Sequence, residues 1–395
     1  MPGTLERIRV LDLTRALAGP YCAKMLGDMG ADVIKIELPG KGDDSRGWGP
    51  PFQEGESSYF LSINRNKRSL TLNLRDEKGK EVLRKLIKTA DVLIENFTPG
   101  VMERLGFGYE QMAEINPALI YCAMSGFGPT GPYAQKPAYD LILQGMGGVM
   151  SVTGPYGGPP TKCGVAIADI TTGMFGAFAI VNALFHRERT GEGQRIDTSL
   201  LHSQIALLTF HAGQYFATGH PPMPIGNLHP SITPYQTIAV QDGYVNVAPA
   251  NESLWRRFCE ALNLDELPRD PRFEVNAKRL ANRDELTRLI EARTTQLTQK
   301  DVIDRLEAAG VPCGPVYRLD QIFSDPQVQH LGLQAKVQHP KIGELSQTGI
   351  PYTFTKTPGE IRRHPPLLGE HNDELLAELG YSADEIQSLR GSQVI

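Results

Sequence analysis

One carboxylate is distinguished by its surroundings. Asp169 lies in the stretch CGVAIADITTGMFG (163–176), in which every other residue is uncharged and most are small or apolar. A carboxylate in a setting that excludes water can attack an activated acyl group as a nucleophile. Its surroundings therefore make Asp169 a candidate for covalent catalysis.

The segment after Asp169 has the composition of a buried helix. Apolar residues continue to Phe185, and the charged stretch HRERTGEG (186–193) then indicates a helix end. The pattern predicts a helix over about residues 170–187 with Asp169 at its N-cap. There the free backbone N–H groups and the helix dipole would keep the carboxylate ionised. Local sequence alone leaves a plain capping role and a nucleophilic role open.

The composition is that of a globular enzyme. The chain has 395 residues, of which 41% are hydrophobic and 22% charged, and its net charge is −5. A chain of this length holds about two or three domains. The negative net charge argues against nucleic acid as a partner. No signal segment is recognised and no stretch is read as long enough to span a membrane, so we expect no membrane partner and a cytoplasmic location.

Cysteine and histidine positions give no metal or disulfide pattern. The five cysteines lie far apart, and the nine histidines lack ligand spacing. The P-loop and Gly-x-Ser-x-Gly motifs do not occur. We therefore expect reduced thiols and no bound metal.

Strand-like and helix-like segments alternate in the first third of the chain. Strands are predicted over residues 9–14, 31–37, 69–74, 91–96 and 118–125, with helices over 21–29 and 78–90. This alternation predicts an α/β fold with a mainly parallel sheet that binds ligands at the carboxyl ends of its strands. The turn RALAGPY (15–21) has one glycine where a dinucleotide-binding turn needs three, which argues against NAD or FAD.

The rest of the chain suggests a second domain. An apolar helix is predicted over 200–216, followed by the proline-rich stretch ATGHPPMP (217–224). We predict a large domain from 1–200 and 326–395, a linker over 201–224, and a smaller α+β domain over 225–325. Its elements are strands at 235–239 and 243–247 and helices at 252–262, 284–295 and 299–309. The tail, with one short helix over 372–379, is too sparse to fold alone and is expected to pack onto the large domain.

Six segments, in order along the chain, resemble the family III CoA-transferases, the group of formyl-CoA transferase and carnitine CoA-transferase. They are DLTRALAGPY (12–21), GADVIKIE (30–37), ENFTPG (95–100), SGFG (125–128), TGEGQRID (190–197) and PPLLGEH (365–371). The resemblance implies a Rossmann-like large domain built from both chain ends, a small middle domain and an interlocked homodimer.

The resemblance also implies the chemistry. Asp169 matches the family nucleophile, which forms an anhydride and then a thioester with CoA, and Tyr139 matches a residue beside it. Coenzyme A and acyl-CoA would be substrates, with a small carboxylic acid as acceptor and no permanently bound cofactor. The positions that match the CoA-binding residues are Ala16, Leu17, Ala18, Leu72, Asn96, Phe97, Arg104 and Lys136. The basic cluster of Arg65, Lys67 and Arg68 is either a phosphate site or a solvated surface.

The segment 227–235 replaces a glycine run that covers the nucleophile in formyl-CoA transferase. Its polar side chains suggest a short dicarboxylate as acceptor, with succinyl-CoA as donor. A second carboxylate needs a cationic partner. The candidates are Arg15, Arg46 and His229, although the two arginines are equally candidates for CoA phosphates.

Two other functions stay open. An α-methylacyl-CoA racemase of the same fold has a histidine before its aspartate, where this chain has Tyr139, and a phenol is a poor base at neutral pH. The other alternative is a non-catalytic CoA-binding protein.

Overall fold

The computed structural model describes residues 3–395 and has a mixed α/β fold, as predicted. Two compact units are present. The first contains the chain up to Val149, Lys162–Phe216 and Gln327–Ile395, and the second contains Met150–Thr161 and Ala217–Pro326. The predicted linker over 201–224 contains two helices that belong mostly to the first unit.

Secondary structure follows the predicted alternation of strands and helices. The strands β1–β13, in chain order over the described residues, are Arg9–Asp12, Asp32–Glu37, Phe52–Gln53, Glu56–Ser57, Lys67–Thr71, Val92–Glu95, Ile120–Ser125, Gln194–Ser199, Gln236–Val240, Gly243–Val247, Cys313–Pro315, Gln334–His339 and Gly343–Thr348. The helices α1–α17 are Ala18–Asp28, Ser58–Ile63, Glu77–Ile87, Val101–Leu105, Tyr109–Ile115, Asp140–Met146, Ile167–Thr190, Leu200–Leu207, Thr209–Thr218, Glu252–Ala261, Asn276–Ala281, Arg283–Thr294, Gln299–Ala308, Leu319–Ile322, Pro326–His330, Asn372–Glu378 and Ala383–Gly391.

The first unit is built on a parallel sheet of six strands. Their order is β5-β2-β1-β6-β7-β8, and every neighbouring pair is parallel. Strand order reverses between β1 and β6, and in open α/β sheets ligands bind beside such a reversal. Strand β8 was not predicted, because its sequence QRIDTS has a single apolar residue and two of its six positions are exposed.

Both faces of the sheet are covered. Successive residues of β1 point to opposite sides, so Val10 packs with Cys22 and Ile180 on one face, whereas Leu11 packs with Leu83 and Leu376 on the other. The tail therefore packs onto the first unit, as predicted, through α16 and the unpredicted helix α17.

Helix α7 differs from the prediction at both ends. It starts at Ile167 with Ala166 as its N-cap and ends at Thr190, where Gly191 has a φ of +77°. Asp169 is thus the third residue of the helix, and the predicted N-cap position is wrong. The helix predicted over 200–216 is also divided, into α8 and α9, at Thr209 with a φ of +34°.

By length and composition, α7 is apolar enough to cross a membrane, so the sequence-based statement that no stretch reaches this length is wrong. A single such helix is weak support for a membrane span, because core helices pass the same test. One face of α7 is packed in the core, where Ala177, Ile180 and Ala183 are buried.

The second unit has its own core. Strands β9, β10 and β11 form an antiparallel sheet, and the helices beside it bury Trp255, Phe258 and Ile290. The two predicted strands and three predicted helices of this region are all present, with bounds that differ by a few residues.

Candidate active site

Asp169 is a carboxylate without hydrogen-bond donors among the described residues. Burial, and then the negative charge of Asp140, raise the pKa of Asp169 to about 7. The sequence led us to expect a carboxylate kept fully ionised by the helix N-terminus. The structure instead gives a carboxyl group that exchanges its proton near neutral pH, because the surrounding protein disfavours the anion.

Side chains of α6 fix the first turn of α7. The Ala168 N–H donates to Asp140 Oδ1 at 2.9 Å, and Gln144 Nε2 donates to Asp140 Oδ2 at 2.7 Å. The Gln144 amide oxygen in turn accepts the N–H of Cys163 at 2.8 Å. Asp140 therefore both satisfies a free N–H of the helix start and supplies the like charge that raises the pKa of Asp169.

Close packing of two helices brings Asp169 toward the turn before α1. Asp169 and Gly173 are four residues apart and share one face of α7. A Cβ added to Gly173 would lie 2.6 Å from the carbonyl oxygen of Ala18, so only glycine permits this approach. The Arg15–Ala18 turn, which resembles a CoA-binding segment, is therefore next to the face that carries Asp169.

A pocket of about 490 Å³ opens at the carboxyl ends of β1, β2, β5 and β6. Its walls include Leu13–Arg15, Ile36–Leu38, Leu72–Arg75 and Phe97, which directly follow or end those strands. The guanidinium carbon of Arg15 lies 5.2 Å from the centroid of the Phe97 ring. Three predicted binding residues, Arg15, Leu72 and Phe97, thus meet in one pocket at the reversal of strand order.

The other predicted binding residues lie around this pocket or are used elsewhere. The nitrogen and the oxygen of the Asn96 side-chain amide are both bonded to the backbone of Arg15. Arg104 and Lys136 are exposed, and Lys136 Nζ lies 3.7 Å from the ring centroid of Tyr133. Tyr139 is the N-cap of α6 and is 68% exposed.

Arg46 is held by protein groups. Its guanidinium makes two contacts of 2.7 Å with the carboxylate of Glu37 and lies 3.7 Å from the ring centroid of Phe60. His229 lies in the second unit, where its Nδ1 accepts the Ser231 N–H at 3.2 Å. Of the three residues predicted to bind a second carboxylate, Arg15 is the least engaged by protein groups, since the Asp44 carboxylate lies 4.0 Å from its guanidinium.

The basic cluster is neither a phosphate site nor a solvated surface. Arg65 pairs with Asp28 at 2.7 Å, Lys67 pairs with Asp12 at 2.8 Å, and Arg68 pairs with Asp32 at 2.6 Å. All three cations are at least 94% buried. Both predicted interpretations are wrong, because these three cations are paired with acids from other elements.

Sequence reasoning missed Tyr59. Burial raises the pKa of its phenol to about 12, and the charges of Asp169, Asp140 and Asp43 raise it in the same direction. Tyr59 thus lies within electrostatic reach of both the Asp169 carboxylate and Asp43 in the pocket wall. Its ring meets that of Trp48 edge-on at 5.0 Å. Its segment, ESSYFLS, carries no motif that would have identified it.

A carboxylate beside a pocket at the reversal of an α/β sheet fits the resemblance noted in the sequence, and comparison with known proteins decides it. The family model for CoA-transferase family III matches residues 5–372. This chain belongs to CoA-transferase family III. It is an enzyme whose substrates are CoA thioesters and carboxylic acids.

Similar proteins agree over nearly the full length. Succinyl-CoA:glutarate CoA-transferase from Mus musculus is 42% identical over 99% of this chain and 90% of its own length. Succinyl-CoA:mesaconate CoA-transferase from Haloarcula marismortui is 41% identical over 96% and 97%. The crystal structure of a CAIB/BAIF family protein from Brucella suis superposes with a TM-score of 0.88 at 42% identity, over 96% of this chain and 100% of that one. These matches favour the transferase over the racemase and the non-catalytic alternatives.

Proposed function

We propose that this CoA-transferase moves CoA from an acyl-CoA donor to a short dicarboxylate through covalent intermediates on Asp169. The observation that carries the proposal is the Asp169 carboxylate itself. Its neighbours in the sequence are small or apolar, no described residue donates a hydrogen bond to it, and burial and the charge of Asp140 raise its pKa to about 7. A desolvated carboxylate of this kind is a better nucleophile than a solvated one.

The reaction divides into two matched halves. Asp169 attacks the thioester carbon, so that a mixed anhydride forms and CoA leaves as a thiolate. The thiolate attacks the aspartyl carbonyl, which releases the donor acid and gives an aspartyl-CoA thioester. The acceptor carboxylate then attacks this thioester, which forms a second mixed anhydride and releases the CoA thiolate. The thiolate attacks the acceptor acyl carbon of this anhydride, which gives the new acyl-CoA and regenerates the Asp169 carboxylate. Each intermediate is hydrolysable, so water must be kept out.

The substrate class is inferred from relatives and from charge. The two enzymes named above act, by their names, on succinyl-CoA with glutarate or mesaconate, all of which carry a second carboxylate. In this chain Arg46 is occupied by Glu37, so we assign Arg15 as the cation for the distal carboxylate or a CoA phosphate. His229 stays a candidate for the acceptor side.

We also propose that CoA occupies the pocket of about 490 Å³ beside Arg15, Leu72 and Phe97. The pocket combines apolar walls from Leu72 and Phe97 with the charge of Arg15, which suits a ligand that has both an aromatic base and phosphates. The strand order third-second-first-fourth-fifth-sixth is that of doubly wound nucleotide-binding sheets, which supports the same placement.

A homodimer is the third part of the proposal. Four apolar side chains spaced along one face of α7 are 46–70% exposed, namely Met174, Phe178, Val181 and Phe185. Phe175 beside them is 42% exposed, and Phe216 on α9 is 81% exposed. An apolar stripe of this size is unusual on a monomer. A second copy of the chain that covers it accounts for the stripe and for the apolar character of α7.

The covalent step is tested by trapping. The enzyme is mixed with succinyl-CoA, quenched with hydroxylamine or borohydride, and digested for mass spectrometry. We expect the modification on Asp169 and no modification in Asp169→Ala. A modified residue elsewhere, or transfer activity that survives in Asp169→Ala, contradicts the mechanism. The rate with glutarate against a monocarboxylate of equal length tests the substrate class.

A further inference from the structure

The turn between β1 and α1 is fixed by side chains from other parts of the first unit. The Arg15 N–H donates to Asn96 Oδ1 at 2.9 Å, and Asn96 Nδ2 donates to the Arg15 carbonyl at 2.8 Å. The Thr14 N–H donates to Asp12 at 3.0 Å. Asn96 is thus bonded to both polar backbone atoms of Arg15, and its amide keeps one N–H and one lone pair.

A buried ion pair, Lys35–Asp43, also holds this turn. Lys35 Nζ lies 2.8 Å from Asp43 Oδ2 and donates to the Thr14 carbonyl at 3.0 Å. Asp43 Oδ1 accepts the Ala16 N–H at 3.2 Å. Both side chains are inaccessible to solvent. The pair therefore ties the residue before Arg15 and the residue after it to one rigid group.

The turn needs this support because of its backbone. Ala16 has a φ of +64°, a region that the Cβ of every residue except glycine disfavours. Neighbouring hydrogen bonds from Asn96 and Asp43 hold the chain in it. Without them we expect Ala16 to return to negative φ, which would turn the Arg15 side chain away from its present direction.

These contacts also exclude one mode of ligand binding. In dinucleotide-binding turns, glycines let backbone N–H groups approach the pyrophosphate. Here the N–H groups of Thr14, Arg15 and Ala16 are all donated to side chains of the protein. Recognition by residues 14–16 therefore falls to the Arg15 side chain, which is exposed and lies beside Phe97 in the pocket.

We propose that Asn96, Asp43 and Lys35 are positioning residues for CoA binding, which act through the turn by fixing the direction of Arg15. The inference rests on the proposed function, since it requires CoA in this pocket. It also changes the role of Asn96, which the family resemblance suggested as a direct CoA contact.

The test is a double-mutant cycle measured by titration calorimetry with CoA. Arg15→Ala is expected to weaken CoA binding about tenfold, because a charge-assisted contact is lost. Asn96→Ala is expected to weaken binding about fivefold in the wild type and less than about twofold in the Arg15→Ala background, because its effect passes through Arg15. Asn116→Ala is the matched control, since the Asn116 amide also bonds to backbone atoms but lies away from the pocket, and it should bind CoA with wild-type affinity.

A second arm uses Ala16. Asp43→Ala is expected to weaken CoA binding about tenfold, and Asp43→Ala/Ala16→Gly should recover at least about threefold, because glycine accepts positive φ without the tether. Thermal melting of each variant shows that it is folded. A role of Asp43 in folding alone would lower the melting temperature without a recovery of affinity by Ala16→Gly.

The outcomes separate the two proposals. A folded wild type that does not bind CoA contradicts the proposed function. If the wild type binds CoA, additive losses in the Asn96→Ala/Arg15→Ala cycle overturn the positioning role. Unchanged affinity in folded Asn96→Ala and Asp43→Ala, or no recovery with Ala16→Gly, overturns it as well.

Discussion

Asp43 and Asp169 are the same residue type in the same unit, yet their surroundings move their pKa in opposite directions. Burial alone would raise the pKa of Asp43, but the charge of Lys35 and hydrogen bonds from Lys35 and Ser45 lower it to about 2. Burial also raises the pKa of Asp169, and there the nearby charge is that of Asp140, so the pKa reaches about 7.

The difference follows from what each carboxylate does. A carboxylate that holds a turn is surrounded by donors, which favour its anion. A carboxylate that must form a bond to an acyl carbon loses its charge in the intermediate. Donors aimed at the resting anion would therefore stabilise the starting state more than the product of the attack, and would slow the step. The donor-poor surroundings of Asp169 avoid this cost.

The largest expected effect comes from removal of the nucleophile. Asp169→Ala and Asp169→Asn should lower kcat by at least about 10³-fold, as expected when a covalent catalytic group is lost. Asp43→Asn should retain measurable turnover and should still be modified on Asp169 in the trapping experiment. Steady-state rates with succinyl-CoA and glutarate give the comparison. Equal losses in the Asp43 and Asp169 variants would mean that the two carboxylates do not have separate roles.

A smaller loss is expected from Gly173→Ala. The added Cβ would meet the Ala18 carbonyl oxygen at 2.6 Å, so α1 and α7 must separate. We expect about 1–3 kcal/mol of lost stability, as in other overpacked cores, together with a fall in kcat because Asp169 shares this helix face. Melting curves and steady-state kinetics measure the two effects.

Gly391→Ala is the control for this substitution. Gly391 is also helical, and no atom lies within 4 Å of the position that its Cβ would take. The change should leave activity unaltered and should raise stability slightly, by up to about 1 kcal/mol, because alanine favours helix. A Gly173→Ala variant that behaves like Gly391→Ala would show that the two helices do not need their close approach.

The pH dependence of the first chemical step is the next test. The rate at which Asp169 takes the acyl group, followed in single turnovers from pH 5.5 to 8.5, should rise with pH and have its midpoint at about 7, because only the anion attacks. Asp140→Asn removes the like charge and should move the midpoint down by about one pH unit. A midpoint that stays in place in Asp140→Asn would show that burial alone sets the pKa of Asp169.

The sequence was sufficient for features that depend on local pattern. The apolar strand VIKIE (33–37) and the apolar surroundings of Asp169 are read directly along the chain, and both are present in the structure. The stretch around Asp169 nevertheless predicted the wrong start for α7. The residue that accepts the Ala168 N–H is Asp140, which lies 28 positions earlier in the chain.

Features that depend on distant partners could not be predicted. The run NRNKRS (64–69) has the pattern of a solvated surface, yet Arg68 is buried by Glu374 and Glu378, which come from a helix some 300 residues later. The Lys35–Asp43 ion pair could not be predicted either. Nothing in the sequence of β2, where apolar residues alternate with others, indicates that Lys35 pairs with Asp43. A buried cation becomes recognisable only when its acids are in place.

The smallest expected effect concerns stability and again sets Asp169 against Asp43. The folded pKa of Asp169, about 7, lies above its unfolded value near 4, so between these pH values the native state binds more protons and its stability falls as the pH rises. Asp169→Asn removes this pH-dependent loss of stability. Its advantage over the wild type in the free energy of unfolding should therefore be near zero at about pH 4, grow to about 1–2 kcal/mol by pH 7.5, and stay constant above that.

For Asp43 the sign is reversed, because its folded pKa is lowered to about 2. Its contribution to stability is therefore present above the unfolded pKa and is lost only in acid. Asp43→Asn should thus be less stable than the wild type at pH 7.5. Urea unfolding of both variants at pH 4.5 and 7.5 decides the matter, and an Asp169→Asn variant that is destabilised at pH 7.5 would show that this carboxylate has partners in solution that keep it as well satisfied as Asp43.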